Sequence, residues 1–342
     1  MLGKVLLGVV IFIASTTILR AQDKDFESII SRGIAEYDIG NYEEALNFFK
    51  QAYKYDKHSD LACYELALTH LALNQNEDAA VLSGKLLSKE GEYNEDAYLI
   101  NGSAWENLGR EHRARKTYKE GIGKYPSNYL LRYNLALSLY NDKEYEEAQE
   151  YAINAVELAP DHGSSHLLLA YIMFDKGERV QSMLPLYYFL LIEQDSERST
   201  TAYDLLNALW EQGVRVKGQR DIKLVKAGFH YNDFGAAELA ISLIKAGEDN
   251  VELADLYGEG SCLISFAKNN KTLFKILGES AIDKSGFWWE FYVNFFTKLE
   301  KNNLSEPFSY FISNCKYNEE VLLWLSDNHK EFQRFTTWME VY

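Results

Sequence analysis

Small and apolar residues return along this chain at helical spacing inside a longer beat. Ala45, Ala79, Ala114, Ala148 and Ser182 are separated by 34, 35, 34 and 34 positions, and twelve residues before each stands a second small residue: Gly33, Ala67, Gly102, Ala136 and Ala170. Between each pair a turn position reads Gly40, Asn74, Gly109, Lys143 and Gly177. The phrase Tyr-Glu-Glu-Ala at 42–45 recurs at 145–148, three repeat lengths and one inserted residue later. A period of this size marks stacked units, each too small to bury its own apolar face. The spacing predicts two helices per unit, of roughly 12 to 14 residues each, joined by a turn whose Gly or Asn takes the left-handed conformation that ends a helix. Within the second helix of the fourth unit, Ala148, Ala152 and Ala155 fall at i, i+4 and i+7, one buried stripe. A small residue on each helix lets the two approach closely. Pro126 and Pro160 then stop the third and fourth units.

The pattern resembles the tetratricopeptide repeat family, which places small residues at unit positions 8 and 20, an aromatic at 24, Ala at 27 and Pro at 32. The first unit offers Gly33, Ala45, Phe49 and Ala52, with Lys57 in place of Pro; the third offers Gly102, Ala114, Tyr118, Gly121 and Pro126. The fourth offers Ala136, Ala148, Ala155 and Pro160, with Ala152 where the aromatic would stand. The second and fifth depart further, with Ser83 and Leu186 at position 24 and Gly91 and Gln194 in place of Pro. The resemblance implies an all-α chain: a tetratricopeptide-type α-solenoid of about five helical hairpins over residues 22–196, then a degenerate helical capping domain over 197–342.

After Asp195 the period fades. The segment "TAYDLLNALWEQG" opens a further pair, but Gly213 lies two residues past the phase of Gly177, and "VRVKGQRD" reads as a loop. Further helices are expected near 233–246, 251–278, 285–302, 304–315, 318–328 and 330–341. Such terminal helices cover the end of a repeat stack.

In the resembled family the first helix of each unit lines a concave face, mainly through positions 2, 5, 9 and 12. Positions 5, 9 and 12 carry Ile30, Ile34 and Tyr37, then Tyr64, Leu68 and Leu71, then Leu99, Ser103 and Glu106. Tyr133, Leu137 and Tyr140 follow, then Leu167, Tyr171 and Phe174. The resemblance assigns partner binding to Tyr37, Tyr64, Leu68, Leu71, Leu99, Tyr133, Leu137, Tyr140, Tyr171 and Phe174. Some relatives grip a peptide's terminal carboxylate with Lys, Arg and Asn on this face, and none of these positions carries one. An apolar face of this size needs cover. Either a protein or peptide partner is anchored there by tyrosines, or the chain's own C-terminal helices occupy it.

The segment "GFWWEFYVNFFTKL" has seven aromatics in the ten residues 287–296. On an α-helix Trp288, Phe291, Tyr292, Phe295 and Phe296 share one stripe, read as a core helix at the solenoid end or as a platform for a partner or for sugar rings.

Charge and targeting narrow the classes of function. Residues 1–21, with Lys4 ahead of an apolar run from Val5 to Ala14, read as a secretory signal, which makes the mature chain periplasmic or secreted with no transmembrane segment. The formal charge is −16, and Lys4 and Arg20 leave with the signal, giving −18. Such acidity repels nucleic acid. Cys63, Cys262 and Cys315 are an odd number for an exported protein; one 262–315 bridge or three buried thiols fit.

The residues of chemistry give weaker patterns. His162 and His166 have the four-residue spacing of a zinc pair but lack further ligands nearby. "LYGEGSC" lacks the third glycine of a dinucleotide loop and "GVRVKGQR" the ending of a phosphate loop. Carboxylates such as those of "NYEEA" and "NEEV" sit at helix starts, where they complement the dipole. The expectation is an exported scaffold without catalysis, cofactor or metal. The alternatives are a carbohydrate- or envelope-polymer-binding accessory protein using the C-terminal aromatics and, lower, a hydrolase in 197–342.

Overall fold

Every predicted repeat hairpin turns on a left-handed residue. Gly40, Gly109 and Gly177 take φ of 82°, 65° and 77°, and Asn74 and Lys143 take 57° and 63° at the equivalent positions. The conformation costs an ordinary side chain such as that of Lys143 about 1 kcal/mol, so the packing of the two helices dictates the turn. The computed structural model describes residues 25–212, 214–217, 221–224, 233–248 and 262–341. The expected signal, 1–21, lies outside them.

The chain divides into two compact units, 1–142 and 143–342. That division falls inside the fourth repeat, whereas a boundary at 196/197 follows the end of the repeat phase, a different criterion.

Unit 1 contains α1 (25–38), α2 (Tyr42–Tyr55), α3 (Asp60–Ala72), α4 (Asn76–Leu87), α5 (Asn94–Asn107), α6 (Glu111–Lys124) and α7 (Tyr129–Asn141). Successive helices pack as antiparallel pairs. Ser59 and Asn128 cap α3 and α7 by accepting from the backbone N–H of Ala62 and Leu131. Glu43, Glu44, Glu77, Asp78 and Glu111 fill the first turns of the second helices. A Cβ on Gly33 would lie 2.5 Å from the Phe49 ring, and one on Gly102 only 2.1 Å from Tyr118. The position-24 ring thus lies directly on the backbone of the first helix. In the second repeat Ser83 replaces that ring, and the buried Asn101 amide donates to Ala80 O and Ser83 Oγ, both at 3.0 Å, while its Oδ1 accepts from Trp105 Nε1 at 2.9 Å. Polar closure stands in for ring packing there. First helices lie side by side, α3 with α5 and α5 with α7, while the second helices stand further apart, so the first-helix face is the inner one.

Unit 2 contains α8 (Tyr145–Leu158), α9 (Gly163–Asp175), α10 (Arg179–Ile192) and α11 (Glu197–Glu211), then α12 (Gly235–Glu248) and α13 (Cys262–Ser280). A π-helical turn (Trp288–Val293) leads into α14 (Asn294–Lys301), α15 (Ser305–Ser313), α16 (Glu319–Asp327) and α17 (His329–Val341). The second helix of the fifth repeat, α10, is its centre, packed by α9, α11, α12, the π turn and α15. Tyr187 on α10 is fully buried among Phe274, Phe296 and Phe308, at centroid distances of 5.4, 5.6 and 6.0 Å. Its hydroxyl donates to Asn270 Oδ1 (2.5 Å) and accepts from Trp210 Nε1 (2.9 Å), and Asn270 donates on to Ser309 Oγ (2.9 Å). Arg179, at the start of α10, forms a buried ion pair with Glu238 of α12 at 2.7 Å and donates to Gln212 O. The helices beyond 197 therefore cap the last repeat.

Two local readings change. The described ends of "VRVKGQRD" are strand rather than loop: Val214–Lys217 (β1) and Asp221–Leu224 (β2) pair antiparallel, with Val214 opposite Leu224. Its period-two alternation of Val and charge is a strand signal short enough to pass for a connection. The α-helix expected over 285–302 begins instead as the π turn.

Gly102→Ala is expected to cost about 1–3 kcal/mol in urea unfolding, as overpacking does, and adding Tyr118→Leu is expected to recover part of the loss. Equal stability of Gly102→Ala and the natural chain would contradict this close approach.

Candidate functional site

The first helices of unit 1 bury one stripe and present another. Ala62, Leu66 and Ala67 of α3, Ala97 and Ile100 of α5, and Leu131, Leu135 and Ala136 of α7 are core. Interleaved with them, Tyr37, Tyr64, Leu68, Leu71, Leu99, Tyr133, Leu137 and Tyr140 are all half-buried. Tyr37, Tyr64, Leu68 and Leu71 pack at the edges of buried clusters while keeping part of their surface exposed. Tyr171 is half-buried and Phe174 is 38% exposed on α9, within unit 2. Ile30 and Leu167, expected on the same face, are instead buried core residues.

Tyrosines and carboxylates alternate on the unit 1 face. Tyr37 lies 5.0 Å from Tyr42, and Tyr64 stacks on Tyr93 at 5.0 Å. Burial pushes the Tyr64 hydroxyl up to about 12, with Asp96 and Glu65 adding to the rise. Burial, reinforced by Asp38, pushes Glu65 up to about 7. Asp96 and Glu106 are also raised, chiefly by burial. The helix-start account of carboxylates holds for the second helices and for Asp96, in the first turn of α5, but fails for the other two. Glu65 sits in the middle of α3, and Glu106 in the last turn of α5, where the dipole opposes it. The spacing rule that found the tyrosines skipped Glu65, which stands one position after Tyr64, and Asp96, which stands at the omitted position 2.

The buried member of the histidine pair is structural, and His162 Nδ1 lies 2.8 Å from Ser165 Oγ. His166 is fully buried; its Nε2 donates to Pro160 O (2.9 Å) and its Nδ1 accepts from the Tyr292 hydroxyl (2.6 Å). Both nitrogens are committed, so the imidazole has no lone pair for a metal. Burial pulls it down to about 4.

The C-terminal aromatics are mostly core. The wider π turn changes which rings face inward: Trp289, not Trp288, is buried (6% exposed) and stacks on Phe234 at 4.6 Å, and Tyr292, Phe295 and Phe296 are also buried. Phe287, Trp288 and Phe291 are half-buried. Cys63 and Cys315 are buried free thiols, Cys315 pushed by burial to about 11, and the Cys262 side chain lies outside the described residues. "LYGEGSC" falls outside them as well, apart from the backbone of Cys262. Among the described residues no helix is long and apolar enough to cross a membrane.

Two opposite pH responses follow. Glu65 has a raised pKa, so its stabilising contribution is full below about 4.5 and is lost as pH rises through about 7. Glu65→Gln is expected to raise stability at pH 8 by roughly 1–3 kcal/mol and to have no effect at pH 4, read by urea midpoints. His166 has a lowered pKa, so its contribution is full above about 6.5 and is lost as pH falls toward about 4. Tyr292→Phe, which removes its hydroxyl donor, is expected to cost about 1–3 kcal/mol at pH 7. In the Glu65→Gln background, where the opposing response is removed, stability that does not fall between pH 6.5 and 4 would contradict the His166 account.

The tetratricopeptide repeat family model matches residues 38–96, and a second model of the same description matches 101–162 and 133–182. No curated protein sequence matches the chain. Among solved structures, a thermophilic TPR protein of Thermus thermophilus is 19% identical, with 54% of this chain and 98% of that one covered at a TM-score of 0.45. MamA from Desulfovibrio magneticus RS-1 is 20% identical, covering 51% and 98% at 0.44. PilF of Pseudomonas aeruginosa is 19% identical, covering 70% and 100% at 0.49. Residues 38–96 and 101–182 of this chain therefore carry tetratricopeptide repeats.

Proposed function

We propose that this protein is an exported scaffold that holds a protein or peptide partner on the first-helix face of unit 1. The observation that carries the reading is the set of half-buried tyrosine and leucine side chains on α1, α3, α5 and α7, densest on α3 and α7, on a repeat fold whose business is protein interaction. Tyrosines anchor interfaces well because a rigid ring contributes large area for little conformational entropy. Tyr64, Tyr133 and Tyr140 are the anchors. The signal-like segment 1–21 supports a periplasmic or secreted site of action. Binding, rather than turnover, is the activity. The polymer-binding alternative needs exposed rings in 287–296, and the burial of Trp289, Tyr292, Phe295 and Phe296 weighs against it.

A photo-crosslinking residue placed at Tyr133 or Tyr140, in cells that make the protein, is expected to attach peptides of another protein. Tyr64→Ala is expected to weaken that capture by about 2 kcal/mol, roughly 30-fold. Attachment confined to peptides of residues 197–342 of the same chain would overturn the reading in favour of self-occupation.

A further inference from the structure

Glu65 is unusual among the carboxylates of unit 1. It is only 8% exposed, yet among the described residues no N–H, hydroxyl or cation meets its side chain. The charge it does feel, that of Asp38, has the same sign. It stands next to Tyr64 on α3, and its charge adds, behind burial, to the raised pKa of the Tyr37, Tyr64 and Tyr93 hydroxyls. Asp96 and Glu106 extend the negative lining along α5.

Several cations of unit 1 are committed elsewhere. Lys85 donates to the Tyr53 hydroxyl and to Lys57 O, and Lys89 pairs with Asp60 at 2.5 Å. Arg115 pairs with Asp142 at 2.6 Å, and Arg113 lies over the Trp105 ring at 4.9 Å. A carboxylate drawn largely out of water without a partner is costly. Nothing in the hairpin needs it, since Gln would fill the same space. A cation supplied from outside would turn this cost into a charge-assisted hydrogen bond. Tyrosine faces beside it favour the same ligand charge, and a net charge of −16 steers basic partners toward the chain.

We infer that the partner segment held on this face is basic, with one Lys or Arg side chain entering beside Glu65, against Tyr37 and Tyr64. The inference rests on the binding reading above and names its chemistry. The face inverts the charge with which some relatives hold a terminal carboxylate: the acid is on the scaffold and the cation on the guest.

The test is selection of a random dodecapeptide display library on the full chain and on Glu65→Gln. Peptides enriched on the natural chain are expected to share a Lys or Arg next to apolar or aromatic residues. They are expected to bind Glu65→Gln about 10- to 100-fold more weakly. Changing the shared Lys to norleucine is expected to cost as much on the natural chain and little on Glu65→Gln. A melting temperature of Glu65→Gln no lower than that of the natural chain excludes misfolding as the cause. Enriched peptides without a shared basic residue, or with equal affinity for Glu65→Gln, would overturn the inference and leave peptide binding standing. Failure of the natural chain to enrich any peptide would overturn the binding reading itself.

Discussion

The contact between a position-24 ring and the bare backbone of the preceding helix sets the geometry of unit 1. Phe49 over Gly33 and Tyr118 over Gly102 leave no room for a single added carbon. That closeness draws the first and third hairpins together on one side, as the Asn101–Ser83 hydrogen bond closes the second, and fixes which stripe of the first helix is consumed. The stripe left over is then available to a guest. In physical terms Gly and Ala let the helices meet, and Leu66, Ile100, Leu131 and Leu135 fill the core between them.

Unit 2 solves the opposite problem. The repeat ends at α10, whose outer face would otherwise meet water, and the chain covers it with its bulkiest residues. Tyr187 shows how: aromatic rings surround it, while its hydroxyl closes a buried network through Asn270, Trp210 and Ser309. A buried hydroxyl without such partners would be strongly destabilising. The aromatic density near 287–296 is thus explained by capping. His166, held between Pro160 and Tyr292, ties α9 to the same cap.

The repeat was legible because its signals are local and recur: a small residue, a turn residue, and a second small residue at fixed offsets. Even Lys143, a poor left-handed residue, obeys the phase of its neighbours. The helices beyond 233 were legible from apolar periodicity, to within a few residues where described. The π turn was not, since one extra residue per turn arises from tertiary packing and leaves the α-helical stripe of 288–296 intact on paper. The two strands were too short to stand out. Glu65 was hidden by a rule of position: a carboxylate beside a tyrosine on an acidic chain looks like a solvated one until burial and the lack of a partner are known. The 262–315 bridge shows the same limit. Cys315 is a free thiol, a fact that no spacing of cysteines decides.

The central claim is that the first-helix tyrosines of unit 1 face outward in the unliganded chain. Hydroxyl-radical footprinting of the purified protein measures it directly, residue by residue. Oxidation of Tyr37, Tyr64, Tyr133 and Tyr140 at rates well above those of the buried Tyr118 and Tyr187 is the result this account predicts. Protection of Tyr64, Tyr133 and Tyr140 to the level of Tyr187 would contradict it.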